Sequence, residues 1–177
     1  MTFTQHYESP LGGILLAADE IGLTGLWFEG QKYFAHGLPT ERTEGSTPAL
    51  SETKRWLDIY FAGREPDFTP PLPPTGSSFR QAVWEILLQI PYGKTTAYGE
   101  IARQLAKKQG VPHISAQAVG GAVGHNEICI IIPCHRVVGT NGSLTGYAGG
   151  IEKKIKLLEL EHADLRNLFV PKKGTAL

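Results

Sequence analysis

Between residues 68 and 78 the chain reads FTPPLPPTGSS, and this segment limits the fold more than any other. Pro70, Pro71, Pro73 and Pro74 each lack a backbone donor and fix φ, so the stretch can be neither a helix nor a central strand. It reads as a linker, and it predicts domains over residues 1–75 and 76–165 with a tail over 166–177. The 177 residues, 41% of them apolar, suffice for one ordinary core or two small ones.

The two sides of the linker differ in charge. Residues 1–75 carry five Lys/Arg against ten Asp/Glu, a net −5, and residues 76–177 carry twelve against seven, a net +5. A basic second half suits an anionic partner such as a phosphate backbone, although chance variation between segments would give the same split. No apolar run reaches the roughly 18 residues needed to span a bilayer. The opening MTFTQHYESP lacks the basic-then-apolar pattern of a secretory leader. Two cysteines in a chain of this length do not make a disulfide framework, so a reducing, cytoplasmic setting is expected.

Before the linker, residues 3–7, 13–18 and 22–28 read as strands. Thr47-Pro48 opens an amphipathic helix that stops at Gly63. After it, Ser78 and Gln81 have capping-box spacing, and Phe79, Val83, Ile86, Leu87 and Ile90 share one helical face up to Pro91. A second helix is predicted from Tyr98 to about Lys108, and a third from its N-cap Ser115 to about Gly124. Two short helices with a tight connection suggest a helix-turn-helix. Residues 128–132 form an apolar run that reads as a strand ending in Pro-Cys-His-Arg. A glycine-rich loop or hairpin over 139–150 and a last helix over 151–161 follow, and the chain after His162 is expected to fray.

Cys134 and His135 are the sharpest chemical feature. A thiol is a useful nucleophile as thiolate, and a nearby imidazole that accepts its proton makes that form available, directly or through water. Cys129, inside an apolar run, reads as a buried structural cysteine. A histidine base needs an acceptor on its other nitrogen, and Glu161, Glu152 and Glu159 are all candidates by spacing. The spacing of His125, Cys129, Cys134 and His135 matches no usual zinc pattern, so no metal is expected. The stretch SAQAVGGAVG (115–124) holds three glycines that weaken a helix but allow another backbone, or a DNA groove, to come very near.

Together, FRQAVWEILLQIPYGKTTAYGEIA (79–102), AVGGAVGHN (118–126), IIIPCHRVVGTNGSLTGYAGG (130–150) and KKIKLLELE (153–161) resemble the O6-alkylguanine-DNA alkyltransferase family. The resemblance implies an α+β protein. Its N-terminal part would be a small ribonuclease-H-like sheet-plus-helix domain. Its C-terminal part would be mostly helical, with a winged-helix-like helix-turn-helix. It implies direct, irreversible transfer of an alkyl group from O6 of guanine, or O4 of thymine, in double-stranded DNA to the protein's own cysteine. No cofactor is implied, and a monomer is expected.

Carried over residue by residue, the resemblance makes Cys134 the acceptor, His135 its base through a water, and Glu161 the holder of His135. Tyr98 would serve the leaving guanine at N3. Ser115, Gln117, Ala118, Gly121, Asn126 and Arg136 would contact DNA, with Asn126 also tying the third helix to the strand before Cys134. Val137, Tyr147 and Ala148 would line the base pocket. Gln117 stands where many relatives place an arginine that fills the gap left by the flipped base. Three other readings use the same residues less fully. They are a lesion-binding relative that transfers nothing, a cysteine hydrolase built on Cys134, His135 and Glu161, and a transcription factor using the helix-turn-helix alone.

Overall fold

Strand β1 (Phe3–Ser9) turns on Pro10-Leu11 into β2 (Gly12–Ala18), which pairs antiparallel with β3 (Leu23–Phe28). A short β4 (Thr43–Glu44) joins β1 in parallel, so the sheet order is β3-β2-β1-β4. Strand β2 is central and covered on both faces, which is why its apolar run does not alternate. Ile14 and Leu16 point to one face, while Leu15 and Ala17 meet Trp27, Ala35 and Leu38 on the other. Helix α1 (Pro48–Phe61) starts where the Thr47 side chain accepts from the Leu50 amide and Pro48 takes a position that needs no donor. It buries Leu50, Trp56, Leu57 and Tyr60.

The structure, a computed structural model, describes residues 1–171 and divides the chain into two compact units. One unit is Met1–Thr75 with Glu127–Ile131, and the other is Gly76–Asn126 with the chain from Ile132 onward. No helix among the described residues is long and apolar enough to cross a membrane.

The borrowed segment corrects one expectation. Residues 128–132 are not a strand: only Leu26 and Ile128 form an isolated bridge, and Ile130 takes φ 71°, which a β-branched residue rarely adopts. The segment is held to the first unit by backbone bonds to Leu26 and by Glu127. The Glu127 carboxylate accepts from the Trp27 indole at 2.8 Å and lies 2.9 Å from His36 Nδ1. A short apolar run cannot by itself distinguish a strand from a buried turn.

In the second unit, α2 (Ser78–Leu88), α3 (Tyr98–Gln109) and α4 (Ala116–Gly124) pack together, and α5 (Ile151–Leu160) closes the unit. The cap of α2 is Ser77, not Ser78: the Ser77 hydroxyl accepts from Arg80 N, and Gln81 reaches back to the Gly76 carbonyl. Ser115 caps α4 as expected, accepting from Ala118 N. Two-residue strands β5 (Thr96–Ala97) and β6 (Val137–Val138) pair in parallel, placing the start of α3 beside the chain that leaves Cys134.

The expected fraying after His162 is wrong for the described part of the tail. Phe169 bridges Ser143, and Leu165 and Leu168 pack on Val138, Leu144 and Leu158. Residues 172–177 of the predicted tail lie outside the described residues.

The cap assignment is testable by chemical denaturation. Ser77→Ala should cost about 1 kcal/mol, while Ser78→Ala, which removes no cap bond, should stay within about 0.5 kcal/mol of the unsubstituted protein.

Candidate active site

Pro133 fixes the approach to the cysteine. At φ −83° and ψ 64° it is the centre of an inverse γ-turn in which Cys134 N donates to Ile132 O at 2.8 Å. Cys134, His135 and Arg136 then form a single 3-10 turn. Cys134 is 3% exposed, and neither it nor the buried Cys129 is in a disulfide.

Asn126, at the end of α4, donates from Nδ2 to Ile132 O at 2.8 Å and to Cys134 Sγ at 3.2 Å. The side chain that ties α4 to the cysteine segment thus also touches the sulfur. Asn126, expected among the DNA contacts, is 4% exposed and points inward.

His135 is wholly buried, with Nε2 at 2.6 Å from Glu161 Oε2. Glu161 also accepts from Arg136 Nε at 2.8 Å and from Gly93 N at 3.1 Å. Of the three glutamates open by spacing, Glu152 and Glu159 are exposed and only Glu161 is buried. Gly93 is required here: it has φ 76°, and a Cβ would sit 2.8 Å from the Glu161 carbonyl. Burial pulls the His135 pKa below its ordinary 6.5, against the pull of Glu161. Burial alone would raise the Glu161 carboxyl, but its bonds from His135 and Arg136 outweigh that and hold it well below the usual carboxylate range. The pair is therefore neutral His135 and anionic Glu161, with Arg136 balancing the charge. In that state Nε2 carries the proton donated to Glu161 and Nδ1 keeps its lone pair; Nδ1 has no hydrogen-bonding partner among the described residues.

Arg136, expected among the DNA contacts, is turned inward. It is 8% exposed, with one guanidinium nitrogen on Glu161, another on the Ile90 carbonyl at 2.7 Å, and its face over the Tyr92 ring. The resemblance places it on DNA, whereas two of its nitrogens donate within the protein.

Tyr98, at the first position of α3, is 2% exposed and makes long 3.4 Å bonds to the carbonyls of Thr145 and Gly146. Burial, with the negative charge available at Cys134, raises its hydroxyl pKa well above the ordinary 10, so it keeps its proton at neutral pH. Val137 is buried, Tyr147 lies edge-on to the His135 ring, and Ala148 is half-buried beside it in sequence.

Sequence reasoning missed Lys154. Its side chain is wholly buried and donates to the carbonyls of Val137 and Thr145. Burial pushes its ammonium down to about 8, with Cys134 opposing the fall. Ser115, Gln117, Ala118 and Gly121 lie exposed on α4, and a Cβ at Gly121 would meet open space. Among the described residues, no cluster of His, Cys, Asp or Glu could hold a metal ion.

The family profile described as 6-O-methylguanine DNA methyltransferase, DNA binding domain, matches residues 78–163, and the one described as its ribonuclease-like domain matches residues 3–74. The chain belongs to the 6-O-methylguanine DNA methyltransferase family. The methylated-DNA–protein-cysteine methyltransferase of Methanosarcina acetivorans is 44% identical over 156 residues, covering 88% of this chain and 95% of that one. The protein of the same name from Mycobacterium bovis is 46% identical over 159 residues, covering 88% and 92%. The solved structure of Mycobacterium tuberculosis O6-methylguanine methyltransferase matches with a TM-score of 0.78 at 45% identity, covering 92% of this chain and 93% of that one. That of Mycobacterium tuberculosis OGT in complex with DNA matches with a TM-score of 0.77 at 42% identity, covering 90% and 92%.

The charge state of the site sets an acid limit. Both depressed groups contribute stability that is full above their unfolded values and is lost as pH falls toward their folded ones. Thermal stability should therefore fall below pH about 6.5, where unfolded histidine begins to bind protons, and again below about 4.5. Glu161→Gln should already be destabilised at pH 7, because Arg136 loses its anion, and should fall less steeply below pH 4.5.

Proposed function

We propose that this protein repairs DNA by moving an alkyl group from O6 of guanine, or O4 of thymine, onto its own Cys134, once per molecule. The observation that carries this is the Cys134 thiol, in no disulfide, in one turn with a neutral His135, whose Nε2 is fixed on Glu161 and whose Nδ1 is open to receive a proton. Its relatives' names describe the same transfer.

In duplex DNA the target carbon lies inside the stack, so the damaged nucleotide must be turned out at a cost of a few kcal/mol. The exposed small-residue face of α4, with Ser115, Gln117, Ala118 and Gly121, suits close approach to the minor groove. Gln117 fills the gap and can hydrogen-bond the orphaned base without adding charge. The extruded base sits among Val137, Tyr147 and Ala148.

His135 takes the Cys134 proton, directly or through a water. The sulfur then forms a bond to the alkyl carbon while the carbon–O6 bond breaks, its electron pair passing into the guanine ring. Tyr98 donates to N3 of the departing guanine and is reprotonated from His135, so the thiol proton ends on guanine. The products are a thioether and restored guanine, and no cofactor enters. Nothing at the site can reverse a thioether, so the protein is consumed. A reducing cytoplasm suits it, since oxidation of Cys134 would remove the nucleophile.

Intact-protein mass after incubation with a duplex carrying one O6-methylguanine should rise by one methyl group per protein and then stop. Cys134→Ala should gain nothing while still binding the duplex. A wild-type chain that binds but never gains mass would make this a lesion-binding relative. Tyr98→Phe should slow single-turnover transfer about tenfold or more with little change in duplex affinity, because it removes a donor that acts in the transition state.

A further inference from the structure

Under the functional reading above, we propose that residues 163–169 act as a strap that positions the wall of the base pocket and thereby sets which alkyl groups fit. The strap runs beside the loop between β6 and α5. Phe169 N donates to Gly142 O at 3.0 Å, and Leu144 N donates to Phe169 O at 2.8 Å, a parallel bridge centred on Ser143. The fit is close enough to require glycine at 142, where φ is 92° and a Cβ would sit 2.2 Å from the Asn167 carbonyl.

The strap keeps its own shape. Asp164 accepts from the Arg166 amide at 3.1 Å and from its guanidinium at 2.8 Å, and Leu168 N closes on Leu165 O at 3.1 Å. Leu165 and Leu168 then pack on a small core of Val138, Leu144 and Leu158.

The residue after Leu144 links this core to the chemistry. The Thr145 carbonyl receives Lys154 and Tyr98, and Tyr147 and Ala148 of the pocket follow within three residues. At its start the loop is fixed by the β5–β6 ladder and at its end by α5, with Gly146, Gly149 and Gly150 leaving the far half little stiffness of its own. Within the loop Gly139 N donates to Ser143 O at 2.8 Å, and Leu144 packs on Val138 and Leu158; the strap adds the bond to the Leu144 amide and a further apolar cover, and so bears on where Thr145 and Tyr147 stand. A pocket wall displaced by about 1 Å can cost up to a hundredfold in rate without any contact to substrate being removed.

Leu168→Ala in the full chain and a chain ending at His162 test this. Single-turnover transfer is measured at saturating duplex carrying either O6-methylguanine or O6-benzylguanine, and each rate is read from protein that reaches its endpoint of one alkyl group. Loss of folding lowers that endpoint for both lesions alike. A positioning role instead slows the competent fraction, about tenfold for methyl, shifts the methyl-to-benzyl ratio, and leaves duplex affinity unchanged. Unchanged rates and an unchanged ratio in both variants would overturn the strap. If the unsubstituted protein takes up no alkyl group from either duplex, the functional reading falls first and the strap with it.

Discussion

The carboxylate of Glu161 holds three parts of the chain that are distant in sequence. It is 2% exposed and receives His135 from the cysteine turn, Arg136 from the same turn, and the Gly93 amide from the connection between α2 and β5. An anion buried without partners would cost several kcal/mol, so the arrangement persists only with all its donors in place. The consequence reaches the chemistry through one proton. Because Glu161 fixes the proton on Nε2, the lone pair of His135 is on Nδ1. Because burial keeps the ring neutral, that lone pair is available at physiological pH. Arg136 supplies the compensating charge, so that His135 does not have to.

The sulfur is placed by a second set of constraints independent of the first. Pro133 turns the chain sharply, Asn126 fastens the preceding carbonyl and touches the sulfur, and the β5–β6 ladder brings Tyr98 alongside. Lys154 joins two backbone segments by bonding the Val137 and Thr145 carbonyls. An ammonium buried among carbonyls is tolerated more easily where an anionic sulfur is near, and the same cation favours the anionic form of that sulfur. Asn126, Tyr98 and Lys154 each donate to backbone carbonyls here, which keeps the geometry fixed before substrate arrives.

The parts legible in the sequence were those with a long enough period or a steric signature. The helical stripe from Phe79 to Ile90, the Thr47-Pro48 start, the Ser115 cap and the proline segment each reflect local physics that packing did not override. Residues 128–132 failed because five apolar residues fit a strand and a buried turn equally well. Strands of two residues, such as β5 and β6, have no period to read. Glu161 could not be separated from Glu152 and Glu159 by spacing, since the difference lies in which one the end of α5 turns inward. Lys154 was hidden for the opposite reason: within IEKKIK a lysine reads as solvated, and only the two carbonyls it meets explain its burial. The tail misled because the partner of its one bridge, Ser143, is 26 residues from Phe169.

The charge asymmetry between the two halves also needs redistribution. Of the twelve Lys/Arg in residues 76–177, Arg136 and Lys154 are buried and spend their charge on Glu161, on backbone carbonyls and on the cysteine. They cannot contribute to counterion release at a phosphate backbone. The exposed face of α4 carries no charge either, being built from Ala116, Gln117, Ala118 and Gly121. The cations of the helix-turn-helix stand on α3, at Arg103, Lys107 and Lys108, and Arg103 is already paired with Glu100. Under the proposed function, attraction to DNA is therefore supplied beside the recognition helix rather than by it. The helix itself acts by shape: small residues let it come close, and Gln117 is the one long side chain on that face. On that function, discrimination falls to the pocket, where a base that enters meets a site already assembled around Glu161.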